Sequence, residues 1–147
     1  MKRLGIDLGG SKIEGVVLSG DGKVLTRKRI STPRNNDNSI AYTEIISAIN
    51  ILIMKLESNV NSPCSIGIGT PGTISSDTGL LKNSNTICLN GKPFLNDLEH
   101  RLNRDVRIAN DANCFALSES RNGAGEDYAS VFGIIMGTGV GGGIVIN

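Results

Sequence analysis

A chain of 147 residues with 39% apolar content is the size of one typical domain and carries enough hydrophobic material for a packed core. Fifteen Lys and Arg against fourteen Asp and Glu leave a formal charge of +1, so there is no basic field to hold nucleic acid or an anionic membrane. Cys64, Cys88 and Cys114 are odd in number and form no C-x-x-C pair, which excludes a disulfide framework or a zinc site built from this sequence alone and fits a reducing, cytoplasmic setting.

Met1-Lys2-Arg3 runs straight into a strand pattern without a signal-type apolar core, and no apolar run approaches the roughly 18 residues of a membrane span. A small-molecule partner is expected, with neither nucleic acid nor membrane. Leu4 to Leu8 is a short apolar run, and Lys12 to Leu18 follows with β-branched Ile13, Val16 and Val17, so two strands are predicted. Asp7-Leu8-Gly9-Gly10-Ser11-Lys12 joins them. Glycine has no Cβ, so backbone N–H groups at Gly9 and Gly10 can approach a phosphate closely. Asp7 stands where an oxygen ligand could hold magnesium, while Ser11 and Lys12 could donate to phosphate oxygens. The loop is not a Walker A sequence, and the alternative is a plain hairpin turn with Asp7 bonding nearby backbone N–H groups.

Ser19-Gly20-Asp21-Gly22 signals a turn and Val24 to Ile30 a third strand, so the chain opens as an antiparallel meander. Tyr42, Ile45, Ile46, Ile49, Leu52, Ile53 and Leu56 recur at spacings of three and four, one face of a long helix that Asp37, Asn38 or Ser39 can cap. Cys64 to Gly69 reads as a buried strand entering Thr70-Pro71-Gly72-Thr73, which is either an ordinary turn or one whose exposed N–H groups meet a hydroxylated ligand. The stretches Gly79 to Thr86 and Leu89-Asn90-Gly91 are rich in amides and hydroxyls, which suit sugar hydroxyls and equally describe any polar loop. A short helix follows Pro93 and carries the only histidine, His100, at the surface.

Val106 to Ala109 is a further strand delivering Asn110-Asp111-Ala112-Asn113 to the start of a helix that stops at Asn122-Gly123. Asn or Asp before a helix is an ordinary N-cap. A carboxylate at the carboxyl end of a strand is also a usual position for a catalytic base, and both readings stand for Asp111. At the end of the chain, Ile134-Ile135-Met136 leads into Gly137-Thr138-Gly139-Val140-Gly141-Gly142-Gly143 and then Ile144-Val145-Ile146. Gly137, Gly139 and Gly142 match G-x-G-x-x-G, but a dinucleotide site needs a helix after the glycines and here a strand follows. A strand-loop-strand phosphate cradle is left, against a flexible glycine-rich hairpin.

Four segments together, Asp7 to Lys12, Gly67-Ile68-Gly69-Thr70-Pro71-Gly72, Asn110 to Cys114 and Gly137 to Gly143, resemble the ROK family of sugar kinases and repressors, in order and across essentially the whole chain. The resemblance implies an α/β, ribonuclease-H-like (actin-like ATPase) lobe with a mixed sheet and flanking helices. Residues 1–125 would form the N-terminal lobe and 126–147 the first hairpin of a second, truncated lobe. It implies an ATP-dependent kinase in which two loops grip ATP: Asp7, Gly9, Gly10, Ser11 and Lys12 in one, Gly137, Thr138, Gly139, Val140, Gly141 and Gly142 in the other. Asp7 would sit near the magnesium, Asp111 would be the base, and Gly72, Thr73, Asn85, Asn110 and Asp111 would contact a hexose. Structural zinc is expected only in a missing C-terminal part, a homodimer is compatible with the family, and the isolated chain is expected to be inactive. The Lys82 to Thr86 and Leu89 to Phe94 stretches look closest to fructokinases and mannokinases, so fructose or a related hexose is the expected substrate. The N-acetylglucosamine kinase branch shares the Asn110 to Ser118 segment almost as well and is the alternative, beside a non-catalytic binding fragment. A repressor would carry a helix-turn-helix before the first strand, and here that strand begins within four residues of Met1.

Overall fold

The computed structural model describes residues 1–136 and 140–146. Alternation of apolar and polar residues produces the opening meander: β1 (Arg3–Leu8) pairs antiparallel with β2 (Lys12–Leu18), and β2 with β3 (Val24–Ser31). Leu4, Ile6 and Leu8 alternate onto one buried face of β1, with Ile13 and Val17 beside them, so burial of one sheet face sets the register. Next come β4 (Ser65–Thr70), the two-residue strands β5 (Thr73–Ile74) and β6 (Leu81–Lys82), and β7 (Val106–Asn110). Strands β4 and β7 join the meander in parallel, giving a mixed five-stranded sheet in the order β3-β2-β1-β4-β7. The fold class agrees with the sequence expectation.

Helix α1 (Asn38–Ser58) covers the buried face of the sheet. It starts where the Asp37 carboxylate accepts from the N–H groups of Ser39 and Ile40 at 2.7 and 3.2 Å, an N-cap worth about 1 kcal/mol. The whole predicted stripe from Tyr42 to Leu56 is buried. A Cβ added to Gly15 of β2 would lie 2.4 Å from Leu56 Cδ1, which is how closely the helix approaches the sheet. One expectation needs correcting: α1 is long and apolar enough, at a mean hydropathy of 1.4, to meet the length and composition of a membrane span. Its apolarity is accounted for by the stripe turned onto the sheet, chiefly β2 and β3.

Helix α2 (Phe94–Leu102) packs beside α1, burying Phe94 and Leu98, and stops at Asn103 in the left-handed conformation (φ 52°). His100 is exposed, as expected. The Tyr42 hydroxyl donates to Asp97 across the α1–α2 contact. At the other end of α1, Glu57 accepts a forked pair from Arg104 at 3.0 and 2.8 Å and a further bond from the Cys64 N–H at 2.7 Å, joining helix, β4 and the entry to β7.

Helix α3 (Asp111–Asn122) follows β7 without a loop and carries the hairpin of β8 (Ser130–Met136) and β9 (Val140–Ile146). Gly141, Gly142 and Gly143 are strand residues paired with Ile135, Ile134 and Gly133. A Cβ at Gly143 would meet the Ala112 carbonyl oxygen at 2.5 Å, and one at Gly133 the Ala116 Cα at 3.1 Å. These two glycines are therefore spent on close contact with α3 rather than on a left-handed turn.

Candidate active site

Parallel pairing aligns the carboxyl ends of three strands. Asp7 stands opposite Gly69, and Thr70 opposite Asn110, so the loops that follow β1, β4 and β7 open on one edge of the sheet, where ligands of α/β folds bind. A cleft of about 690 Å³ lies there, within the usual range for a small-molecule site. It is lined by Gly9, Gly10 and Ser11, by Pro71, Gly72 and Thr73, by Asn83 and Asn85, by Asn110, Asp111 and Asn113, and by Ile135, Val140, Gly141 and Gly142.

Most of the residues singled out in the sequence thus meet around one space. Lys12 and Asp7 do not line it, and Gly137, Thr138 and Gly139 lie outside the described residues. Pro71, Asn83, Asn113 and Ile135 line the cleft although the sequence reading gave them no site role. Ile135 could have been found from its place directly before the glycines, whereas Asn113 points there only because α3 begins immediately at Asp111.

Two details of the helix start differ from the reading of Asp111 as cap. The N-cap is Asn110, whose Oδ1 accepts from the Asn113 N–H at 3.2 Å, while Asp111 is the first helical residue and its Oδ1 accepts from the Ala112 N–H at 2.8 Å. Asn110 Nδ2 also donates to the Gly72 carbonyl at 2.9 Å, fastening the turn after β4 to the start of α3. With the cap supplied next door, the second carboxylate oxygen of Asp111 has no donor among the described residues, and Asp111 lines the cleft at a helix N-terminus, where negative charge is stabilised. The Gly72 turn itself needs glycine, with φ at +85°. Asn90, in contrast, spends its side chain on the Ser84 backbone, accepting at 2.8 Å and donating at 2.9 Å, and so shapes the 83–86 loop instead of reaching a ligand.

The electrostatics single out Asp7. Partial withdrawal from water, then the like charges of Asp111 and Glu14, push its carboxyl above the ordinary value of 3.8, and Arg29 opposes this. Cys114 is pushed up by desolvation and by the nearby charges of Asp111 and Asp7, so its thiol stays protonated. Two mutually repelling carboxylates beside a glycine loop suit a magnesium ion, which binds through one or two carboxylates together with substrate phosphates. No cluster of three or more His, Cys, Asp or Glu occurs among the described residues, so a caged zinc or calcium has no donor set there.

A carboxyl whose pKa is raised by folding holds its proton more tightly in the folded state. Its contribution to stability is then greatest below 3.8 and declines as the pH rises toward the folded value. Asp7→Asn is accordingly expected to melt higher than wild type at pH 7, the difference closing as the pH falls below about 4, in melting curves recorded across that range.

A mixed sheet opening as a meander, with a glycine loop after β1 and a carboxylate-bearing helix start after β7, has the architecture of the actin-like ATPase fold. Residues 3–147 match the model of the ROK family, and the chain belongs to that family. It is 43% identical over 97% of its length to an N-acetyl-D-glucosamine kinase of Pectobacterium atrosepticum, of which it covers 45%. Among solved structures it is similar to a ROK hexokinase from Thermus thermophilus, with TM-score 0.80 and 30% identity, covering 99% of this chain and 47% of that one. It is also similar to a ROK glucokinase from Streptomyces griseus in complex with glucose and AMPPNP, with TM-score 0.81 and 29% identity, covering 99% and 45%. The chain therefore spans a little under half the length of the relatives it matches.

Proposed function

We propose that the whole protein carrying this chain is an ATP-dependent hexose kinase whose substrate is N-acetyl-D-glucosamine. The observation carrying this reading is the single cleft shared by the Gly9–Ser11 loop, the Gly72–Thr73 turn, Asn85, Asn110, Asp111 and the Val140–Gly142 strand. Phosphoryl transfer requires positioning and charge stabilisation more than covalent chemistry, and these groups offer both. The Gly9–Ser11 loop holds the polyphosphate, and Asn85, Asn110 and the Gly72–Thr73 turn orient the sugar. The Asp111 carboxylate accepts the proton of the sugar hydroxyl as its oxygen attacks the γ-phosphorus and the bond to the bridging oxygen of ADP breaks. Asp7 would hold magnesium at the phosphates, where the ion would neutralise part of their charge.

The choice of sugar rests on the relatives. N-acetyl-D-glucosamine kinases from several bacteria are 39–43% identical to the chain over 97% of it, which favours that branch over the fructose reading of the 82–94 segment. Residues 1–125 are proposed as the N-terminal lobe and 126–147 as the first hairpin of a second one. Supporting this, Phe132, Ile134, Met136, Val140, Ile144 and Ile146 form an exposed apolar face on the hairpin, the kind that a neighbouring lobe buries.

The test is a panel of N-acetylglucosamine, glucose, mannose and fructose with ATP and magnesium on the whole protein. N-acetylglucosamine is expected to give the highest kcat/KM. A preference for fructose would move the protein to the other branch, and phosphorylation of none of the sugars would sink the kinase reading.

A further inference from the structure

The segment between β3 and α1 holds the glycine loop from behind. Thr32 is only 6% exposed although it carries a hydroxyl. Its N–H donates to the Ser11 carbonyl at 3.0 Å, continuing the β2–β3 ladder one step past the Lys12–Ser31 pair, and its hydroxyl donates to the Gly9 carbonyl at 2.7 Å. Arg34 Nη2 donates to the Gly10 carbonyl at 3.1 Å. Within the loop, the Gly9 N–H donates to the Lys12 carbonyl at 2.9 Å. Four successive carbonyls, from Gly9 to Lys12, are therefore all taken.

In a planar trans peptide the carbonyl and the next residue's N–H point in opposite directions. Drawing the Gly9 and Gly10 carbonyls toward Thr32 and Arg34 turns the N–H groups of Gly10 and Ser11 the other way. Among the described residues, neither N–H donates to a protein acceptor, and both residues line the cleft. A loop with its carbonyls occupied and its N–H groups free presents partial positive charge to a polyphosphate.

Resting on the kinase reading above, we infer that Thr32 and Arg34 are positioning residues for the phosphate loop: by occupying its carbonyls they aim the Gly10 and Ser11 N–H groups at the ATP phosphates. Neither residue touches the nucleotide in this account. Their contribution is to keep the loop's oxygens from facing like charge.

The test is amide NMR of the chain titrated with Mg·ATP and, separately, with inorganic tripolyphosphate, comparing wild type with Thr32→Ser, Thr32→Val and Arg34→Gln. The Gly10 and Ser11 resonances are expected to move on titration in wild type and in Thr32→Ser, which keeps the hydroxyl. In Thr32→Val and Arg34→Gln the midpoint is expected to rise roughly three- to tenfold, the worth of one lost hydrogen bond. Arg34 is exposed, so its variant folds and decides the matter even if the buried Thr32→Val substitution does not. Midpoints for Arg34→Gln equal to wild type, with unchanged loop resonances, would overturn the inference alone. Wild-type amides that ignore both probes would overturn the phosphate-site reading and this inference with it.

Discussion

Asp111→Asn in the whole protein is expected to lower the turnover of sugar phosphorylation by about 10²- to 10⁴-fold while changing sugar affinity little. The expectation follows from the division of labour at the start of α3. Asn110 caps the helix and ties it to Gly72, so the fold does not depend on the Asp111 charge. The amide oxygen of asparagine can still accept from the Ala112 N–H, which the Asp111 carboxylate does at 2.8 Å. What the variant loses is the capacity to take a proton. Kinetics, sugar calorimetry and a melting curve on one preparation check all three parts. Turnover within a few-fold of wild type would place the base elsewhere, and a collapsed melting curve would assign Asp111 a structural role.

The second large effect is expected from Gly72→Ala. At φ +85° an L-residue is strained, and the added Cβ would sit 2.4 Å from the Lys82 carbonyl oxygen and 2.9 Å from the Ser84 nitrogen, both backbone atoms that cannot rotate aside. Left-handed strain of about 1–2 kcal/mol and overpacking of about 1–3 kcal/mol together come to about 2–5 kcal/mol. At roughly 2–4 °C per kcal/mol for a domain of this size, the melting temperature should fall on the order of 10 °C. Because the Gly72 carbonyl receives the Asn110 amide, the sugar KM should rise as well, with the KM for ATP moving less. Gly79→Ala is the control: its φ is +69° but nothing lies within 4 Å of the added Cβ, so only the smaller, conformational part of the loss is expected. Equal losses in the two variants would show that the contact with Lys82 is unimportant.

These effects concern residues of differing legibility. The meander, the α1 stripe and the strand before Pro71 follow from local periodicity, which depends only on neighbours in the chain. The grouping of Gly9, Gly72 and Asp111 around one cleft was legible through motifs in the order the family uses. Other roles were not. Asn110, not Asp111, caps α3, and only the backbone geometry at the β7–α3 junction distinguishes them. Thr32 and Arg34 sit in a stretch that reads as a simple break between a strand and a helix, because their partners, Gly9, Gly10 and Ser11, lie more than twenty residues earlier.

By itself the sequence determined the main strands and helices, though not the two-residue β5 and β6, where glycine replaces a side chain, and which family the motifs belong to. Those properties rest on side-chain pattern and on the conformational freedom of single residues. The tertiary structure alone decided what each glycine is for. Gly133 and Gly143 are packed against α3, Gly72 turns the chain at positive φ, and Gly9 and Gly10 offer their carbonyls to Thr32 and Arg34. All lack a Cβ, so nothing in the residue type separates them, and the difference lies in which distant atoms the parallel pairing of β1, β4 and β7 brings against each.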